Sequence, residues 1–254
     1  MELAGIAALV TGGASGIGAG VGRVLTAAGV NVTLLDVNEE ALASVADAAG
    51  CGFQVCDVTS EGSVTSAIEA AEVERGVARL LVNCAGVAIG QRIVGRDGPT
   101  PLDDFKRVID INLSGTYNVM RLAAARMMEQ APLDDVGERG VVINTASVAA
   151  FEGQIGQSAY IASKGGVVSL GLVAAREFAG VGIRVMTIAP GLIATPMLTG
   201  MPQEIQDSLA SQVPFPSRFG QPEEYAHLVM HICANQMLNG EVIRLDGAIR
   251  MGPR

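Results

Sequence analysis

The feature that most limits this fold is an alternation. Short apolar runs recur along the chain, and nearly every one is followed by sequence compatible with a helix. Seven runs read as strands: residues 5–10, 30–35, 52–55, 79–82, 140–145, 183–188 and 241–245. Helical stretches are expected at 19–28, 39–49, 61–74, 102–129, 157–179 and 223–234, with a short one at 203–210 inside an otherwise irregular 192–217. Strands that alternate with helices need crossover connections, which make neighbours parallel and put helices on both faces. The expected fold class is therefore α/β. It is one doubly wound, mostly parallel seven-stranded sheet, occupying 1–254 as a single Rossmann-like domain with no linker, composition shift or internal repeat.

A sheet of this kind binds ligands beyond the C-terminal ends of its strands. The first strand runs directly into Thr11-Gly-Gly-Ala-Ser-Gly-Ile-Gly18 and then a helix. Gly12, Gly16 and Gly18 would let backbone approach a pyrophosphate, which the free N–H groups of the helix N-terminus also attract. Alone, such a turn is only a glycine-rich connector. The second strand argues for more, because it ends at Asp36. A carboxylate there can accept from both hydroxyls of an adenosine ribose and repel a 2′-phosphate, and neither Val37 nor Asn38 offers a positive charge, so NAD is expected over NADP. Asp57 ends the third strand, where it could meet the adenine or simply favour the next helix N-terminus. Asn83-Cys84-Ala85-Gly86 and Pro190-Gly191 end the fourth and sixth strands.

The fifth strand ends in Thr145-Ala146-Ser147, and Tyr160 comes thirteen residues later with Lys164 four further on. On a helix, positions i and i+4 share a face, so the phenol and the ammonium stack. With only three tyrosines and two lysines in the chain, a chance Tyr-x-x-x-Lys has a probability of roughly 2–3%. A hydroxyl, a phenol and an ammonium that converge can handle the proton of an alcohol or carbonyl.

Hydrophobic residues make up 49% of the chain, charged residues 17%, and the net charge is −9. That balance suits a compact protein and argues against a nucleic-acid or anionic-membrane surface. Cys51, Cys56, Cys84 and Cys233 lack metal-site spacing and read as free thiols of a reducing compartment. Nothing near Cys84 in sequence would activate it as a nucleophile. His227 and His231 lack a third metal ligand and a base, so they read as surface or interface residues and no metal is expected. No export signal and no apolar run near the ~18 residues of a membrane span are evident, so a cytoplasmic location is expected. The segment 87–101 is a loop long enough for a lid or substrate contact. Asn112, mid-helix among apolar residues, reads on spacing alone as a satisfied amide.

Together these motifs resemble the short-chain dehydrogenase/reductase family over essentially the whole chain: TGGASGIG at 11–18, Asp36, Asp57-Val58, NCAG at 83–86, Asn112, Ser147, Tyr160, Lys164 and Pro190-Gly191. The stretches NTASVAAFEGQIGQSAYIASKGG, IRVMTIAPGL and the C-terminal LASQVPFPSRFGQPEEYAHLV and LNGEVIRLDGAIRM are most similar to its type 10 17β-hydroxysteroid dehydrogenase group, the short-chain 3-hydroxyacyl-CoA dehydrogenases. The resemblance implies catalysis by Asn112, Ser147, Tyr160 and Lys164, with Ser147 and Tyr160 on the substrate. It implies that NAD is held by Gly12, Ser15, Gly16, Ile17, Gly18, Asp36, Asp57, Val58, Asn83, Cys84, Ala85, Gly86, Tyr160, Lys164, Pro190, Gly191, Ile193 and Thr195. Lys164 and the nicotinamide would lower the Tyr160 phenol, and Asn112 would bind a water linking the lysine to solvent. The implied substrate is a small molecule, an acyl-CoA thioester or a steroid-like or other secondary alcohol, with Arg92 and Arg96 the nearest cations for thioester phosphates. A homotetramer is implied too. From a different class, the chain could be a dinucleotide-binding partner subunit with incidental activity.

Overall fold

The computed structural model describes residues 1–253, apart from the side chain of Met197. Seven strands form one parallel sheet: β1 (Ala7–Thr11), β2 (Asn31–Asp36), β3 (Gly52–Val55), β4 (Ala78–Asn83), and, later in the chain, β7 (Gly140–Thr145), β8 (Ile183–Pro190) and β9 (Val242–Leu245). Their spatial order is β3-β2-β1-β4-β7-β8-β9, so the winding reverses between β1 and β4. The central strands β1, β7 and β8 are buried along their whole length. This explains why they read as unbroken apolar runs rather than alternating ones.

Two cores lie on opposite faces. One packs α1 (Gly16–Ala27), α2 (Glu39–Ala49) and α9 (Pro222–Ala234) through Leu25, Leu42 and Val229. The other packs α3 (Glu61–Arg75), α5 (Gly115–Met128) and α6 (Ser158–Ala179) through Ile68, Met127 and Ala175. The two ends of α2 follow ordinary capping chemistry. The Asn38 side chain accepts from Ala41 N at 3.1 Å at the start of α2, and Gly50 closes that helix in a left-handed conformation.

Four features depart from the sequence expectations. The 102–129 helix is interrupted: α4 (Leu102–Ile109) passes through one π-helical turn, Asp110–Ser114, before α5 begins. The loop at 87–101 carries a small antiparallel ribbon, β5 (Val94–Gly95) with β6 (Gly98–Pro99). The irregular segment holds α7 (Pro196–Thr199) as well as α8 (Gln203–Ala210). Finally, α6 is by length and composition apolar enough to cross a membrane, where no such stretch was expected. Its packing against β8, α4 and the π turn accounts for part of that character, since a helix covering a sheet face is apolar on the covered side, while Leu172 and Val173 remain exposed.

Candidate active site

At the C-terminal edge of the sheet lies a cleft of about 940 Å³. At one end the turn after β1 is built by contact too close for side chains. A Cβ on Gly18 would lie 2.2 Å from the Gly12 carbonyl oxygen. Gly12 itself has φ +66°, and a Cβ there would meet Ala85 N and Cys84 C at 2.8 Å. These glycines therefore seat the turn against the ends of β1 and β4. The Thr11 hydroxyl completes the join by accepting from Cys84 N and Ala85 N, both at 3.0 Å. Ser15 precedes α1 in an extended conformation and its side chain caps nothing, which leaves the helix N-terminus open toward the cleft. That opening suits a pyrophosphate.

Asp36 is fixed from both sides: Oδ2 accepts from Ala14 N at 3.2 Å and Oδ1 from Asn38 N at 3.1 Å. It lines the cleft beside Val37, Asp57 and Val58. Asp57 lines the cleft while its Oδ1 accepts from the Thr59 N–H and hydroxyl, at 2.9 and 2.7 Å.

At the other end stand Ser147, Tyr160 and Lys164. Ser147 closes β7 and opens a single 3-10 turn, with Oγ accepting from Ala149 N at 3.1 Å, so its hydroxyl proton remains to be donated. Tyr160 and Lys164 lie one turn apart on α6, the ammonium 5.8 Å from the phenol ring centroid. Lys164 is 4% exposed, and Nζ donates to the Thr145 carbonyl at 2.8 Å. Burial lowers the lysine to about 8. The expected lowering of Tyr160 is not produced by the chain alone. Burial raises the phenol, and the hydrogen bond with Ser147 only opposes that rise.

Two expected site residues lie outside the cleft. Asn83 is buried behind its strand end, its amide donating to Asn144 Oδ1 at 2.9 Å, because alternate residues of a strand point to opposite faces. Asn112 is fully buried in the π turn. Its Oδ1 accepts from Val87 N at 2.8 Å, and Nδ2 donates to Val87 O at 2.9 Å and Ser163 Oγ at 3.0 Å. The side chain is thus a brace between the β4 loop and α6, as spacing alone suggested, with both amide hydrogens engaged and one lone pair of Oδ1 uncommitted. Among the remaining expected residues, Gly12, Ser15, Gly16, Ile17, Gly18, Cys84, Ala85, Gly86, Pro190, Gly191, Ile193 and Thr195 all line the cleft.

Other lining residues escaped the sequence reading. Thr145 acts on Lys164 through its main chain, which no side-chain motif reports. Met251 reaches the cleft because the C-terminal tail folds back: its N–H donates to Glu152 Oε2 at 2.8 Å, and Pro253 O accepts from Ile155 N at 3.0 Å. Lys106 and Arg107 on α4 line the cleft, whereas the expected cations Arg92 and Arg96 are exposed and do not. Cys84 turns its thiol toward the Thr145 hydroxyl, and burial pushes it up to about 11, so it is no nucleophile at neutral pH. His227 and His231 are both exposed, and no metal-binding cluster occurs among the described residues.

The arrangement can bind a dinucleotide along the strand ends and move a proton at its far end. Known proteins match the chain over nearly its whole length. A family model described as enoyl-(acyl carrier protein) reductase matches residues 12–249. The chain is 53% identical over 253 residues to the 3-hydroxyacyl-CoA dehydrogenase type-2 of Homo sapiens, covering 98% of this chain and 97% of the relative. It is 49% identical over 249 residues to that of Drosophila melanogaster, covering 96% and 97%. Among solved structures, the crystal structure of 3-hydroxyacyl-CoA dehydrogenase type-2 from Mycobacterium avium is similar at a TM-score of 0.94 and 44% identity, covering 98% of each chain.

Proposed function

The chain belongs to the short-chain dehydrogenase/reductase family, and we propose that within it the protein oxidises 3-hydroxyacyl-CoA thioesters reversibly to 3-oxoacyl-CoA with NAD. The observation that carries this reading is one continuous cleft with Asp36 at one end and Ser147, Tyr160 and Lys164 at the other. The glycine turn, the uncapped α1 N-terminus and the Asp36 carboxylate fit NAD, which when bound supplies the acceptor for the hydride leaving the carbinol carbon. The chain's own groups manage the proton. Ser147 donates to the substrate oxygen and holds it in register, and the Tyr160 oxygen takes the hydroxyl proton. Lys164 keeps a positive charge behind Tyr160, which favours the phenolate that burial alone disfavours.

This assignment places the protein in fatty-acid or branched-chain acyl breakdown. Its four thiols are all unpaired, which suits the cytoplasm. A homotetramer is supported by apolar side chains left uncovered on helices α5 and α6, among them Tyr117, Leu172 and Val173 at 52%, 45% and 53% exposure. Turnover of acetoacetyl-CoA with NADH tests the substrate, beside a panel of hydroxysteroids. Absence of thioester turnover with turnover of a steroid would overturn it. Sedimentation tests the tetramer.

A further inference from the structure

Tyr225 stands on α9, sixty-five residues after Tyr160, and the proton transfer between substrate and Tyr160 does not use it. It is fully buried, with its ring in the apolar core beside Ala226, Val229 and Ile188. A phenylalanine would fill that space without the cost of burying a hydroxyl. The phenol oxygen lies 2.8 Å from the Thr145 hydroxyl. Thr145 Oγ1 also donates to Cys84 Sγ at 3.6 Å. With the threonine proton directed to sulfur, Tyr225 is the donor of the shorter bond. The main-chain oxygen of the same Thr145 accepts from Lys164 Nζ at 2.8 Å. Thr145 therefore joins two bonds: its side chain is held by Tyr225, and its carbonyl holds the catalytic ammonium.

We propose that Tyr225 is a positioning residue, which through the Thr145 hydroxyl fixes the end of β7 and so aims the Lys164 ammonium at Tyr160. The inference rests on the dehydrogenase reading of the cleft. The titratable groups around Lys164 are Tyr160 on its own helix, Cys84 at the end of β4 and, beyond Thr145, Tyr225 on α9; Ser147, Asn112 and Ser163 nearby are uncharged.

The test is steady-state kinetics of Tyr225→Phe, Thr145→Val and the double variant, with any secondary alcohol that the wild-type protein oxidises. Tyr225→Phe should lower kcat about tenfold while the KM for NAD stays within about twofold. The alkaline limb of kcat/KM should move to lower pH, because an ammonium whose carbonyl partner is loosened gives up its proton more readily. Thr145→Val should do the same, and the double variant should be no worse than the worse single one. An unchanged kcat and pH profile in Tyr225→Phe, with only a lower melting temperature, would show a packing role and overturn the proposal. So would additive losses in the double variant. If Tyr225→Phe does not fold, Thr145→Val carries the same readout: a normal profile there refutes the link. Failure of the wild type on the thioester would instead count against the substrate reading and leave these ratios intact.

Discussion

Replacing Asp36 by alanine tests how the cleft chooses its nucleotide. The carboxylate is held between Ala14 N and Asn38 N at 3.2 and 3.1 Å, so its position does not depend on the ligand. A preorganised acceptor of this kind spends little on ordering when a ribose arrives. Hydrogen bonds to a charged group contribute about 1.5–3 kcal/mol each. Of the two the ribose can make, part is recovered by water in the variant, which leaves a net loss of about 3 kcal/mol. At about 1.4 kcal/mol per decade, kcat/KM for NAD should fall roughly hundredfold. NADP should gain far less. Removing Asp36 ends the repulsion of a 2′-phosphate, but Val37 and Asn38 offer it no cation, so about tenfold is expected. Asp36→Asn, which keeps an acceptor without the charge, should fall between. The assay is kcat/KM with each nucleotide for wild type and both variants. Wild-type use of NADP within tenfold of NAD, or an alanine variant within about threefold of wild type on NAD, would refute the role given to this carboxylate.

Three further outcomes are expected from the geometry. Tyr160→Phe should lower turnover by about 10²–10⁴, the usual weight of a general base, with NADH affinity by fluorescence titration nearly unchanged; surviving turnover would remove Tyr160 from the chemistry. Lys164 stands at about 8 because it is buried, so the free protein loses the ammonium above that pH and kcat/KM should decline on the alkaline side from about pH 8. A profile flat to pH 10 would contradict it. At the opposite end of the sheet, Glu138 and Arg184 form a buried pair at 2.7 Å, side chains 4% and 9% exposed. Glu138→Ala should cost about 3–5 kcal/mol in urea unfolding, because it strands a buried guanidinium, and kcat of the folded fraction should hold. A loss under about 1 kcal/mol would show that the carbonyls of Ile232, Cys233, Asn235 and Leu238, to which Arg184 also donates, hold the guanidinium without the carboxylate.

How much of this was readable depended on whether a residue acts locally. The strands at 52–55 and 140–145 and the helices at 39–49 and 203–210 were placed to the residue. For 39–49 the reason is visible, since its ends are chemical signals in the chain, Asn38 and Gly50. Strand β8 outran its expected end at Ile188, pairing through Ala189 and Pro190 with Arg244 and Leu245. Proline can end such a strand because its carbonyl still accepts. The π turn at 110–114 was not legible, since a widened turn is set by what the helix packs against rather than by its own residues. Asn112 shows the limit most clearly. Its burial and its three bonds depend on Val87 and Ser163, twenty-five and fifty-one residues away.

The same distinction explains how the catalytic groups come together. Tyr160 and Lys164 keep their spacing because helix geometry sets it, and Ser147 is placed by the 3-10 turn that succeeds β7. Neither device fixes one pair against the other. Two bonds span the gap, the one between Tyr160 and Ser147 and the one from Lys164 Nζ to the Thr145 carbonyl, two residues before Ser147. An ammonium buried to 4% exposure is costly, and that cost appears in its lowering to about 8. A lysine left in solvent would keep its charge without penalty, but it could not stand behind Tyr160 at a defined distance. Burying it at a parallel strand end makes the catalytic charge a property of the sheet. Changes to β7 or to what holds it, Tyr225 included, should therefore register in the chemistry before they register in nucleotide binding.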